Sequence, residues 1–383
     1  MGGGVSLAYA PLQLPPSYRR YMKTEGQIPY GSSNAIALDK DGLLLGLLIR
    51  FLGTVTTGAT PPVFITGVQG LSNSPAPWNI GSPTLQVAGP GTPIGIPGEV
   101  ANLMAQIANP LYTDQITWLP GTPLASTVYP VEFGYYLPIC VRDDEFYGEP
   151  ADHVGSIYTG DPSITAYVGV TPTVGAGAEW FTVPANATIA GQWTVTSVKL
   201  DVPQPSQDAS LLAAISWYHA VQMDMNNPLA GVGQQVWTPT VNTVRTYLRL
   251  LTLFRNNAGA GDASKSSAAF TGGMMATLLS RAEGIITWWD TIPENVQLAY
   301  QALAYQGQIT RGAYVLDLAR GGARDQWMDV SSVTSLTITE AMNAVALTNA
   351  QYQTVYEFLQ PSPLAQRWFQ QASAAVLKNL QGA

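Results

Sequence analysis

The chain has 383 residues, of which 11% are charged, against about 25% in an ordinary soluble domain. It holds 37 Gly, 28 Pro, ten Trp and eighteen Tyr, with a formal net charge of −8. So many apolar and aromatic residues exclude wholesale disorder. The five lysines form no basic cluster, which excludes direct nucleic acid binding, and the single cysteine, Cys140, excludes an internal disulfide.

Residues 1–30 are rich in Pro and Tyr and show no periodicity, which predicts an irregular arm. No basic stretch leads into an apolar core there, so no secretory signal is expected. "MGGGVS" fits the myristoylation pattern at Gly2 and Ser6, yet reads as a flexible start. "LLLGLLIRFLG", at 43–53, is the most apolar stretch of the chain. A spanning helix needs about 20 uncharged apolar residues. This run is shorter, holds Arg50 and two glycines, and follows the turn signal Asp39-Lys40-Asp41-Gly42. It therefore reads as a buried strand running out through the β-branched 54–57, one arm of a hairpin over 35–57. Arg50 is expected near a strand end or at an interface. Strand fragments and loops follow from 62 to 97. "PGEVANLMAQIANP" predicts a helix over 97–109, opened by Pro97 and closed at Asn109-Pro110, with Val100, Leu103, Met104 and Ile107 on one face. "PVEFGYYLPICV" (130–141) and "QWTVTSVKLDVP" (192–203) predict strands, with Cys140 a small buried hydrophobe.

From 206 onward the pattern starts again. "TYLRLLTLFRNN" echoes the opening strand, with Leu248, Leu250, Leu251 and Phe254 standing 203 residues beyond Leu45, Leu47, Leu48 and Phe51. "PENVQLAYQALA" echoes the first helix at an offset of 196, "YVLDLAR" the strand "YYLPICVR" at 179, and "TVYEFLQP" the strand "VTSVKLDVP" at 158. Four echoes in the order strand, helix, strand, strand predict two copies of one β-rich module. The second half also carries a low-complexity stretch at 256–273, expected to be exposed and mobile over 257–271. A helix is expected at 274–290, with Met275, Leu278, Leu279, Ala282, Ile286 and Trp289 at helical spacing, and a terminal helix at 363–381, striped by Leu364, Trp368, Ala372, Val376 and Leu380. That last stripe is expected to pack on protein rather than on a bilayer, since Arg367 and Lys378 are its only charges.

Reactive chemistry is scarce. The only histidines are His153 and His219, and His219, on an apparent strand, reads as structural. No zinc, phosphate-loop or nucleophile-elbow motif occurs, and Gly89-Pro90-Gly91-Thr92-Pro93 lacks the free N–H groups a phosphate needs. Asp143, Asp144, Glu145, Glu149 and Asp152 could supply oxygens to Ca²⁺, as could Asp39 and Asp41, but neither set has a known loop spacing, and both read as solvated acidic loops. No catalytic, cofactor-binding or metal residue is assigned, and no cofactor is expected. Asn186-Ala187-Thr188 is a glycosylation sequon without a secretory context.

The layout resembles the double jelly-roll major capsid proteins of tailless, membrane-containing icosahedral double-stranded DNA viruses, the lineage of tectivirus phages and adenovirus. The segments that carry the resemblance are "AIALDKDGLLLGLLIRFLGTV", "EFGYYLPICV", "TYLRLLTLFRNNAG", "IPENVQLAYQALAYQGQITRGAYVLDLAR" and "VSSVTSLTITEAMNAVALTNAQYQTVYEFLQP". They span most of 25–360. The helix expected at 274–290 and the helical tail depart from the family pattern.

The resemblance implies an all-β chain of two tandem eight-stranded antiparallel jelly rolls with short interspersed helices and a C-terminal helix. Its divisions are an arm over 1–30, rolls over 31–205 and 206–360, and a tail over 361–383. It further implies a non-enzymatic homotrimer whose six rolls form a pseudo-hexagonal tile of the virion shell, made in the host cytoplasm. The implied partners are neighbouring capsomers, penton, minor capsid or cement proteins, and a viral membrane beneath. Two other classes stay open: a tandem β-sandwich that binds carbohydrate or a receptor, and a glycosidase using Asp143, Asp144 or Glu149.

Overall fold

In the computed structural model the described residues are 11–63, 81–87, 91–108, 119–142, 151–172, 183–223, 227–228, 234–237, 245–255, 275–282, 286–305, 313–318, 328–329, 336–342 and 351–363, with single positions at 117, 181, 309, 365, 368, 370 and 373. The elements of the first half, in chain order, are β1 (Arg19–Pro29), β2 (Ala35–Ala37), β3 (Leu43–Thr57), β4 (Gly81–Val87), β5 (Gly91–Gly95), α1 (Gly98–Ala108), β6 (Val128–Pro138), β7 (Ile157–Tyr158), β8 (Ala166–Pro172) and β9 (Ala187–Asp201). The short helix α2 (Ala209–Ile215) then leads to β10 (Trp217–Met223), β11 (Asn227–Pro228), β12 (Gln234–Trp237), β13 (Thr246–Arg255), β14 (Met275–Ala282), β15 (Ile286–Pro293), α3 (Glu294–Ala304), β16 (Ala313–Asp317), β17 (Met328–Asp329), β18 (Leu336–Met342) and β19 (Gln351–Pro361).

The first half folds as two sheets, β1-β9-β3-β6 and β2-β8-β4-β5, and the second half repeats the same two orders as β10-β19-β13-β16 and β12-β18-β14-β15. All neighbours within these four sets run antiparallel. Even the two-residue strands correspond, because β7 pairs with Leu43 and Leu44 and β17 with Thr246 and Tyr247, again 203 apart. The helices α1 and α3 stand 196 residues apart over their full lengths. The halves meet where β5 pairs in parallel with β10, Ile94 beside Val221, which joins a sheet of each half into one ten-stranded sheet.

The unbroken apolar run of β3 has a local cause. Strands buried on both faces read as continuous hydrophobic sequence. Leu43 and Leu45 point into a cluster with Leu14, Leu211 and Trp368. Leu44, Leu47, Ile49, Phe51 and Val55 point into the main core. The register slips between Leu44 and Gly46, so Leu45 is an extra residue and the parity of the strand reverses across it. Beyond the bulge, Phe51 packs with Phe133 and Trp193 at ring separations of 5.2 and 5.1 Å. The turn before β3 needs Gly42: its φ is +64°, and a side chain there would meet the Leu200 carbonyl oxygen at 2.5 Å.

Three sequence expectations are corrected. The arm is not irregular throughout, because Arg19–Pro29 forms β1 against β9. Residues 35–57 are not a hairpin: the turn exists, but β2 pairs with β8 while β3 pairs with β6 and β9, so the turn carries the chain from one sheet to another. Of the helix expected at 274–290, the described residues 275–282 and 286–290 are not helical but belong to the antiparallel pair β14 and β15. There the helical spacing of apolar residues is overridden by Gly284 and by the aromatic and β-branched "IITWWDTI", which fit a pleated sheet better than a helix. The helices expected at 97–109 and 293–306 are present as α1 and α3. The expectation of mobility at 257–271 lies outside the described residues. Of the terminal stripe, Trp368 is helical and buried, as is the neighbouring Ala365, and Trp368 meets the ring of Tyr158 edge-on at 5.6 Å; the other stripe residues lie outside the described ones.

Candidate functional site

Asp39 and Asp41, two of the acidic residues singled out in the sequence, are tied to cations of the chain. Asp39 and Asp41 both reach Lys23 at 2.7 Å. Asp41 also holds Lys199, whose side chain is fully buried and lies 2.8 Å from the equally buried carboxylate of Glu25. Glu25 gets there because β1 slips register between Thr24 and Gly26, which makes it a bulge residue turned against β9. Burial raises the Asp41 carboxyl, and the bonds from Lys199 and Lys23 outweigh this and hold it below the ordinary range. This cluster pins β1 to β9 and to the turn before β3.

Asp152 and His153 act on the N-terminal segment. Asp152 accepts the Leu12 N–H at 3.3 Å, and His153 Nδ1 accepts the Leu14 N–H at 3.1 Å. Asp143, Asp144, Glu145 and Glu149 lie outside the described residues. Among those described, no group of three His, Cys, Asp or Glu is placed to hold a metal ion. Cys140 is buried, Arg50 pairs across strands with Glu132 at 2.8 Å, and Gly91 opens β5 with φ +85°.

The second buried cluster, at the junction of the two halves, has one member that sequence reasoning placed and four it missed. His219 on β10 donates from Nδ1 to the Pro138 carbonyl of β6 at 3.2 Å, and its Nε2 lies 2.8 Å from Glu357 on β19. Glu357 takes two bonds from Arg249 on β13, at 2.8 and 2.7 Å, and Arg249 Nε donates to Asp317 on β16 at 3.0 Å. Tyr305 donates to the other oxygen of Asp317 at 2.9 Å. Burial alone would raise Glu357, but Arg249 and His219 overcome it and hold the carboxyl at about 2. The same carboxylates push Arg249 up against the opposing pull of burial. Glu357 and Arg249 are directly opposed in the β13–β19 register, and a long-range pairing of that kind carries no local sequence signal. Around the junction, Val141 and Val154 of the first half pack with Leu248 and Leu359 of the second.

Among the described residues no cleft gathers these groups around an open position. The arrangement locks strands and joins two copies of one module. No family model matches the sequence, and no curated protein matches it. Solved structures match the fold. The major capsid protein of STIV matches at a TM-score of 0.65 and 12% identity, over 91% of this chain and 98% of that one. A chain in the atomic structure of Sulfolobus Turreted Icosahedral Virus matches at 0.61 and 13%, over 93% and 97%.

The fold is the double jelly roll of viral major capsid proteins.

A chain in the quasi-atomic model of the PBCV-1 virus capsid has the same double jelly roll, at 0.53 and 11% identity, over 91% of this chain and 95% of that one. At so low an identity the double jelly roll is kept by pairing pattern and burial rather than by shared residues. In the first roll the two four-stranded sheets share one apolar core. No helix among the described residues is long and apolar enough to cross a membrane.

Proposed function

We propose that this chain is a structural capsid protein: three copies form a ring of six jelly rolls, and these pseudo-hexagonal tiles cover an icosahedral virion. The observation that carries the reading is the register-matched duplication. Two modules with one hydrogen-bond pattern, set side by side in one chain, supply two of six near-equivalent places in such a ring. The low charge suits surfaces that are hidden by partners, since the cores of permanent interfaces are depleted of charge. The role is structural rather than catalytic, which the pairing of the described buried carboxylates with Lys199 and Arg249 supports. The partners proposed with it are neighbouring trimers, penton, minor capsid or cement proteins, and a membrane beneath the shell. The division into rolls over 31–205 and 206–360 and a tail over 361–383 goes with this reading, with β1 added to the first roll.

A carbohydrate-binding tandem sandwich calls for an exposed aromatic platform. Among the described residues, Trp193 and Trp368 are 2% and 6% exposed and Trp217 is half-buried. Native mass spectrometry of the purified chain tests the capsid reading. Three chain masses at micromolar concentration, with flat hexagonal outlines in electron micrographs, are expected. A monomer at every concentration overturns it.

A further inference from the structure

Helix α3 is turned inside out. Its buried positions are Gln297, Gln301 and Ala304, while Val296, Tyr300 and Leu303 are 49%, 47% and 85% exposed. The two amides hold it that way. Gln297 donates to the Val315 carbonyl at 3.0 Å and Gln301 to the Ala313 carbonyl at 2.9 Å, while Gln301 Oε1 accepts the Val315 N–H at 2.9 Å. The glutamines thus take the place of a neighbouring strand along β16, the end strand of its sheet. Rolling the helix to bury its apolar stripe would strip those bonds from buried backbone groups. The stripe is fixed outward, and its exposed neighbours Asn295, Ala299 and Ala302 carry no charge. An anionic membrane or a nucleic acid would call for basic residues here.

In the other module the equivalent stripe is covered. Shifted by 196, Val296, Tyr300 and Leu303 become Val100, Met104 and Ile107 of α1, which are 0%, 1% and 3% exposed. Those side chains share one apolar cluster with Val221, Leu251, Leu253, Val315 and Val355, the junction-facing side of the second module's β10-β19-β13-β16 sheet. The strand registers map these five onto Met22, Leu48, Arg50, Tyr136 and Thr196 of the first module's β1-β9-β3-β6 sheet. None of the five belongs to that cluster. Met22, the counterpart of the junction residue Val221, is 60% exposed, and Leu48 and Tyr136 are half-buried.

We infer that the junction inside the chain is repeated between chains: the outer face of β1-β9-β3-β6 in a second copy, at Met22, Leu48 and Tyr136, seats on the Val296–Tyr300–Leu303 stripe of α3. The two surfaces lie on different modules, so the contact is head-to-tail and generates a ring when the rotation closes. In the ring, the edge of β15 lies beside β1 of the next copy as β5 lies beside β10 within one. The inference rests on the trimer proposed above and names the surfaces that build it.

The test is native mass spectrometry of Leu303→Glu and Met22→Glu, with Tyr167→Glu as control, since Tyr167 is 42% exposed on β8, in the other sheet of the first module. Each of the first two is expected to release monomers that keep the wild-type circular dichroism spectrum, and the control to remain trimeric. If the wild type is trimeric and both junction variants stay trimeric with unchanged dissociation, the proposed surfaces are wrong while the trimer stands. If the wild type is itself a monomer, the reading beneath the inference fails. Hydrogen exchange of the wild type gives a second measure that needs no variant. Residues 19–29 and 294–304 are expected to exchange at least ~10-fold more slowly in trimer than in diluted monomer; equal rates overturn the assignment.

Discussion

Leu45 and Leu248, 203 residues apart, are the same bulge in two copies of one module. The closing strand slips register across each of them, between Leu44 and Gly46 and between Tyr247 and Arg249. The carbonyl of Leu45 accepts the Ile139 N–H at 2.8 Å, and that of Leu248 accepts the Leu318 N–H at 2.9 Å. Ile139 and Leu318 are themselves 179 apart, the offset of their strand echo. Bulges re-aim side chains and end regular pairing. This one lets the early strand of each module present apolar residues on both faces, to its own core and to a second cluster outside the sheet.

Arg249 and Glu357 should dominate the stability of the second module. Glu357→Gln removes the anion that joins Arg249 to His219, and breaking a buried pair in this way costs about 3–5 kcal/mol. The sign with pH follows from the depressed carboxyl. Its contribution is complete above the ordinary value of 4.5 and is lost as the pH falls toward about 2. Denaturant melts from pH 7 down to 2 should show wild-type stability falling across that window, and the fall should be smaller in Glu357→Gln. Parallel profiles would place the acid sensitivity elsewhere.

Lys199 is the matching point in the first module. Lys199→Met leaves Glu25 and Asp41 without their buried cation, again at about 3–5 kcal/mol. The double variant Lys199→Met with Glu25→Gln should recover part of that loss, because it removes the stranded buried charge as well. Urea midpoints of the three proteins test the order: wild type most stable, the single variant least.

Gln301→Leu keeps the helix former and the volume of the side chain but removes both bonds to β16. The Val315 N–H and the Ala313 carbonyl then lose their partners, at about 1–3 kcal/mol each. Amide exchange at Val315 should accelerate in the variant far more than exchange in β3.

Trp368→Ala empties the place beside Tyr158 and Leu211, with an expected loss of about 3–5 kcal/mol. Because the ring packs on its own chain, liposome binding should not change. Lost liposome binding at unchanged stability would assign the terminal segment to a bilayer.

By itself the sequence determined the module and its duplication. The echoes at offsets of 203, 196 and 179 recur unchanged as strand pairings and helix limits, because the spacing of buried side chains is set by strand and helix periods that any copy must keep. The echo at 158 was one residue short: the β3–β9 and β13–β19 registers place Val198 with Glu357, at 159. A bulge shifts pairing by one without leaving a mark in composition. The tertiary structure alone decided which strands pair across the chain, and hence that β2 leaves β3 for another sheet and that 275–282 and 286–290 are extended. Helical spacing and strand spacing overlap in short apolar runs, and only the partner breaks the tie. It alone placed Lys199, Arg249 and Glu357 indoors, since a buried charge is tolerated where its partners arrive from strands distant in sequence. The outward stripe of α3 belongs to the same class. Its spacing reads as a core face, and it is the glutamine bonds to β16 that turn it toward a neighbour.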